Sequence, residues 1–120
     1  MERAHKNLRV WQESMQLVKL IYEVTKSFPD DERFGLISQM RRAAVSIPSN
    51  IAEGAARQTK KESIQFYSIA RGSLSELDTQ IQLCGDLGFL SNTQAADVSE
   101  HVEKVGALLN GLIRFKKSGP

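Results

Sequence analysis

The sequence predicts an all-α protein, an antiparallel up-down-up-down four-helix bundle. Three observations carry this expectation. Four segments repeat apolar residues in alternating steps of three and four, the spacing of one helix face. Two Ser/Thr-x-x-Glu/Gln boxes, Thr59 with Glu62 and Ser91 with Gln94, stand directly before two of those segments. No run keeps the period of two that marks a half-buried strand. Four helices with short connections place neighbours antiparallel, crossing at about 20°. The 120 residues read as one domain, 1–120.

The first helix is expected at about 8–28. Leu8, Trp11, Met15, Val18, Tyr22 and Thr25 form one stripe, and Val10, Leu17, Ile21, Val24 and Phe28 a second beside it. A bundle helix needs one such stripe. The surplus, assigned to Val10, Leu17, Ile21 and Phe28, points to a subunit contact. Pro29 ends the helix, because the residue before a proline is pushed out of helical backbone.

The second helix is expected at about 32–57, opened by Asp30, Asp31 and Glu32, whose carboxylates suit the positive end of the helix dipole. Ile37, Met40, Ala44, Ile47, Ile51 and Ala55 mark its inner face. Pro48 lies within that pattern, at a cost of about 3 kcal/mol against alanine, and is expected to bend the helix or loosen a turn. Ser49 or Asn50 is expected to serve the backbone group that Pro48 leaves without a partner.

The third helix, about 60–87, follows the Thr59 cap. Tyr67, Ala70, Leu74, Leu77, Ile81 and Cys84 are its seam, and Gly88 is a left-handed terminator. Cys84 is the sole cysteine and reads as a small core residue. The fourth helix, about 92–115, follows Ser91 and carries Ala95, Val98, Val102, Val105, Leu109 and Leu112; residues 116–120 are expected to fray.

A polar set interrupts the second and third helices: Arg41, Arg42, Ser46, Asn50, Glu53, Arg71 and Glu76. In a hairpin centred between Gln58 and Thr59, Arg41 or Arg42 faces Glu76, Ser46 faces Arg71 and Asn50 faces Tyr67. The set reads as a structural network that fixes register, since buried charges persist when paired and hydrogen-bonded. The other reading makes Arg41, Arg42 and Arg71 a recessed nucleic-acid or peptide contact.

Net charge is only +2, but it is unevenly spread. Residues 33–61 carry six basic residues and one acid, and residues 62–103 carry seven acids and one arginine. In the expected topology one end of the bundle gathers Arg3, Lys6, Arg9, Arg57, Lys60, Lys61, Arg114, Lys116 and Lys117 against Glu2, Glu13 and Glu62. The other end gathers Asp30, Asp31, Glu32, Asp86 and Asp97, with only Lys26 and Arg33 nearby. Cyclic symmetry would sum the basic ends at one rim, where a polyanion is attracted.

Catalytic chemistry finds no support. The two histidines, His5 and His101, lack metal-ligand spacing, no Ser/His/Asp set is arranged locally, and no glycine-rich phosphate loop occurs. No cofactor or metal is expected. The amino-terminal MERAHKNLR has no apolar core for a signal peptide, and no apolar run approaches the ~18 residues of a membrane span. A cytoplasmic location away from membranes is expected.

The segment SQMRRAAVSIPSNIAEG with Arg57, then FYSIARGSLSEL, LRVWQESMQLVKLIYEVT and CGDLGFLS, resembles the four-helix proteins encoded within intervening sequences of bacterial 23S ribosomal RNA genes. The resemblance spans about residues 8–113. That family is similar to the accessory variability protein of diversity-generating retroelements, a pentameric barrel whose basic surface binds nucleic acid and a reverse transcriptase. The resemblance implies a homo-oligomer, a pentamer by that likeness, that contacts RNA or DNA and a polymerase-type partner. The expected function is that of a non-catalytic nucleic-acid-binding accessory protein, with Arg57, Lys60, Lys61, Arg9, Arg114, Lys116 and Lys117 as the contact residues. The alternative is an oligomeric protein–protein scaffold without nucleic-acid contact.

Overall fold

The computed structural model describes residues 3–119. Glu2, counted at the basic end, and Pro120, the last residue of the tail, lie outside the described residues. Four helices form a bundle about 48 Å long: α1 (Arg9–Thr25), α2 (Leu36–Ala55), α3 (Lys60–Asp86) and α4 (Asn92–Ser118). Short 3₁₀ turns, Ala4–Asn7 and Asp30–Glu32, precede α1 and α2. No strand occurs among the described residues. α2 packs on α1 and α3, and α4 closes the bundle against α3 and α1.

The core is a column of side chains at helical spacing: Leu17 and Ile21 from α1, Met40, Ala44, Ile47 and Ile51 from α2, Tyr67, Leu77 and Cys84 from α3, and Val98, Val105 and Leu109 from α4. On α1 the core stripe is Val10, Leu17, Ile21 and Val24, with Phe28 just beyond the helix. The residues assigned to a subunit contact are therefore interior. Trp11, Met15 and Val18 are half-buried and Tyr22 is exposed, so the surplus face is the other stripe. Periodicity shows that two stripes exist; packing decides which one turns inward.

The caps explain most boundaries. Ser91 and Gln94 form a complete capping box at α4. Thr59 accepts from the Glu62 amide, but Glu62 spends its carboxylate on the Thr59 hydroxyl, so that box is one-sided. Gly88, at φ +79°, ends α3: the Phe89 amide donates to the Cys84 carbonyl at 2.9 Å and the Gly88 amide to Gly85 at 3.1 Å.

Three helix boundaries differ from expectation. α1 stops at Thr25, short of Pro29; the buried Thr25 hydroxyl donates to the Ile21 carbonyl at 2.7 Å. α2 begins at Leu36, because Asp30–Glu32 form a 3₁₀ turn; Glu32 still caps, accepting from the Leu36 amide at 3.2 Å. α4 continues through Ser118, where fraying was expected from residue 116; Lys60 holds the chain just beyond it by donating to the Gly119 carbonyl.

α2 runs on as α-helix through Pro48. Ser49 and Asn50 donate to the carbonyls one turn back, those of Val45 and Ser46, each at 2.8 Å. Neither serves Ala44, the carbonyl that Pro48 deprives of a partner.

Candidate nucleic-acid interface

The turn between α2 and α3 is built by backbone and hydroxyl groups. The Ala56 amide donates to the carbonyls of Ala52 and Glu53. The buried Ser63 hydroxyl reaches back from α3 to the Gly54 carbonyl at 2.7 Å. A Cβ on Gly54 would lie 2.5 Å from the Tyr67 ring, so the glycine is what lets the two helices meet here.

This turn and the last turns of α4 enclose a cavity of about 330 Å³ lined by Arg57, Gln58, Thr59, Lys60, Ser63, Phe115, Lys116 and Gly119. Among the described residues, three that line it are cationic and none is acidic. Arg57 pairs with Glu53 and lies 4.7 Å above the ring of Phe66. Phe115 is 72% exposed. Lys61, Arg114 and Lys117 are exposed on the adjoining helical turns, and Arg9 is exposed at the start of α1. Among the described residues, Arg9, Lys61, Arg114, Lys116 and Lys117 form no ion pair. The cavity thus gathers Arg57, Lys60 and Lys116 from the expected contact set.

The polar set of α2 and α3 separates into local contacts. Arg41 turns to α1: its Nε donates to the Thr25 hydroxyl at 3.0 Å and its guanidinium lies 4.5 Å from the Tyr22 ring centroid. Arg42 is exposed and, among the described residues, outside any ion pair. The Ser46 hydroxyl meets Ser73 at 2.8 Å, and Asn50 donates to the Ser46 oxygen at 3.0 Å. Glu53 serves Arg57, Arg71 donates to Asn110 of α4 at 3.3 Å, and Glu76 accepts from Gln80 at 3.2 Å. The expected hairpin register is met at Ser63 and Gly54. Towards the middle it slips by two residues, so Ser46 faces Ser73 instead of Arg71. Arg41 misses Glu76 because Thr25 and the Tyr22 ring already hold its guanidinium.

Reasoning from sequence missed Phe115, Phe66 and the Lys60–Gly119 contact. From Leu109 the sequence offers both Leu112 and Ile113 as the next helical step; the structure buries Ile113 and leaves Leu112 half-buried, which turns Phe115 outward. Cys84 is fully buried beside Met40, sulfur to sulfur at 3.4 Å; burial, and then the charge of Glu32, pushes its thiol up to about 11. Burial also raises the Tyr67 phenol. Among the described residues no group of three His, Cys, Asp or Glu side chains is placed to hold a metal ion, and no helix is long and apolar enough to cross a membrane.

The 23S rRNA-intervening sequence protein family matches the chain over residues 6–111. The chain belongs to that family. No curated protein matches it. Among solved structures, a protein of unknown function from the S23 ribosomal protein family of Bacteroides thetaiotaomicron is similar, with a TM-score of 0.81 and 21% identity, over 88% of this chain and 95% of that one. At that identity the likeness speaks to the fold. The basic cavity lies at the connection between α2 and α3, inside the segment that the family matches, and is completed by α4 residues beyond it.

Proposed function

We propose that this member of the 23S rRNA-intervening sequence protein family is a non-catalytic accessory protein that binds RNA or DNA in the cytoplasm. It does so as a cyclic homo-oligomer of up-down-up-down antiparallel bundles, a pentamer by its resemblance to the retroelement accessory variability protein. The observation that carries the binding reading is the basic cavity, where Arg57, Lys60 and Lys116 converge with no acidic residue among the described lining. Arg57 is paired with Glu53, while Lys60 and Lys116 form no ion pair among the described residues; cations gathered at one end of a bundle attract phosphates, and a ring would align those ends.

The test is binding of labelled RNA and DNA across a salt series. Phosphate contacts give a log–log slope of about −0.7 to −0.9 per neutralised phosphate. Replacing Arg57, Lys60 and Lys61 with glutamine is expected to weaken binding and make the slope shallower by up to about 3, with helical content unchanged. Binding equal to wild type would overturn this reading.

A second surface supports the scaffold alternative. A groove of about 350 Å³ between α1 and α2, with Trp11, Met15, Val18, Val45 and Pro48 among its lining, is largely apolar. It suits self-association in the first reading and a polymerase-type protein in the second. Retained binding of such a protein by the triple glutamine variant, with no nucleic acid bound by wild type, would favour the scaffold.

A further inference from the structure

The cavity at the basic end contains a residue that phosphate binding does not need. Phe115 lies two residues beyond Ile113, the last buried residue of α4, which turns it roughly 200° around the helix and away from the core. It is 72% exposed, yet it is not an isolated surface aromatic: it shares a cavity wall with Arg57, Lys60 and Lys116. Cations alone would suffice to hold a sugar–phosphate backbone. An open aromatic face beside them adds a second kind of recognition, stacking against a flat ring.

We propose that Phe115 is a stacking platform for an unpaired base, and that the ligand of this cavity is single-stranded nucleic acid rather than duplex. This rests on the nucleic-acid reading above and narrows it. A duplex buries its base faces in its own stack and presents only groove edges and phosphates. A single strand presents both a π-face and phosphates, the pairing that single-strand binders match with aromatic and basic side chains. About 330 Å³ sits at the small end of ligand pockets, a space suited to one splayed nucleotide. Arg57 contributes to the same wall from a fixed position, since Glu53 pairs with its guanidinium and the Phe66 ring underlies it. Lys60 is likewise held, by the Gly119 carbonyl.

The test uses the full chain with a labelled single-stranded oligonucleotide, the matching duplex, and an abasic oligomer carrying the same phosphates. Wild type is expected to prefer the single strand over both. Phe115→Leu, which keeps an apolar side chain at an exposed position, is expected to weaken single-strand binding roughly tenfold and to leave the salt slope unchanged. Phe115→Trp is expected to restore affinity. Its added fluorescence, read against wild type in which Trp11 is the sole tryptophan, should be quenched by the single strand and not by the abasic oligomer. Equal affinity for single strand and duplex with no effect of Phe115→Leu overturns the stacking role and leaves the basic-end reading standing. Failure of Phe115→Trp to restore binding overturns it as well. If wild type binds none of the three probes, the functional reading itself falls.

Discussion

Gly54 of α2 and Tyr67 of α3 stand closer than any side chain at position 54 allows. A Cβ on Gly54 would fall 2.5 Å and 2.7 Å from two carbons of the Tyr67 ring and 3.1 Å from the Ser63 carbonyl oxygen. The ring is buried and the carbonyl belongs to a helix, so neither moves aside cheaply. Gly54→Ala is expected to destabilise the bundle by about 1–3 kcal/mol in urea unfolding, the cost of overpacking, despite the ~1 kcal/mol that alanine gains in helix propensity. Adding Tyr67→Leu should recover part of the loss, because contacting sites couple.

Arg41 and Arg42 are neighbours in sequence with different structural roles. Arg41 donates to Thr25 and covers the Tyr22 ring, while Arg42 faces solvent. Arg41→Lys is expected to cost about 1 kcal/mol, since an ammonium lacks the planar fork that serves both contacts. Arg42→Ala should stay within about 0.5 kcal/mol. Chemical denaturation of the two variants side by side checks the contrast.

Cys84 makes stability depend on pH in the alkaline range. Its thiol is raised from 9.0 to about 11 by burial and then by the charge of Glu32. Between those values the folded chain keeps a proton that the unfolded chain has lost, so the native state binds more protons. The contribution is fully present below pH 9 and is lost as pH rises through 11. Tyr67, also raised by burial, acts in the same direction. Melting temperature is expected to fall more steeply with pH above 9 in wild type than in Cys84→Ala. Native protein at pH 8 should also resist thiol alkylation that proceeds readily in denaturant.

What was legible in the sequence is what depends on local chemistry. Ser91 with Gln94, Gly88 after α3, and the seams of α3 and α4 all follow from caps and spacing within a few residues. Three features depend on how the helices pack or on which backbone group a side chain finds. The two stripes of α1 are both apolar, and their inner and outer faces are decided by how α2 and α4 pack. Thr25 and Ser63 are polar and buried, at no cost that sequence reveals, because each finds a backbone carbonyl. The partners of Arg41 and Arg71 lie on α1 and α4, outside the hairpin from which sequence reasoning placed them. Of the candidate interface, the basic residues were readable as a run of charge, whereas the exposed Phe115 and the docked end of α4 emerge only once the stripe is phased on Ile113.

Pro48 links the stability of α2 to the groove it shares with α1. The proline is buried and its ring helps line the groove near Trp11 and Met15. Within a continuous helix it carries about 3 kcal/mol of unfavourable propensity against alanine, which a purely structural helix would shed. If the groove is where copies of the chain meet, two substitutions should separate stability from assembly. Pro48→Ala restores an amide that can bond to Ala44, and should raise the unfolding free energy of the bundle by about 1–3 kcal/mol while weakening self-association. Val45→Lys, at an exposed position on the same wall, should leave helical content and unfolding within about 0.5 kcal/mol of wild type yet shift the protein towards monomer. Light scattering at micromolar concentration together with urea unfolding measures both. A wild-type monomer would overturn the subunit contact altogether, and an oligomer that Val45→Lys leaves intact would place that contact elsewhere; either leaves the groove open to a different protein.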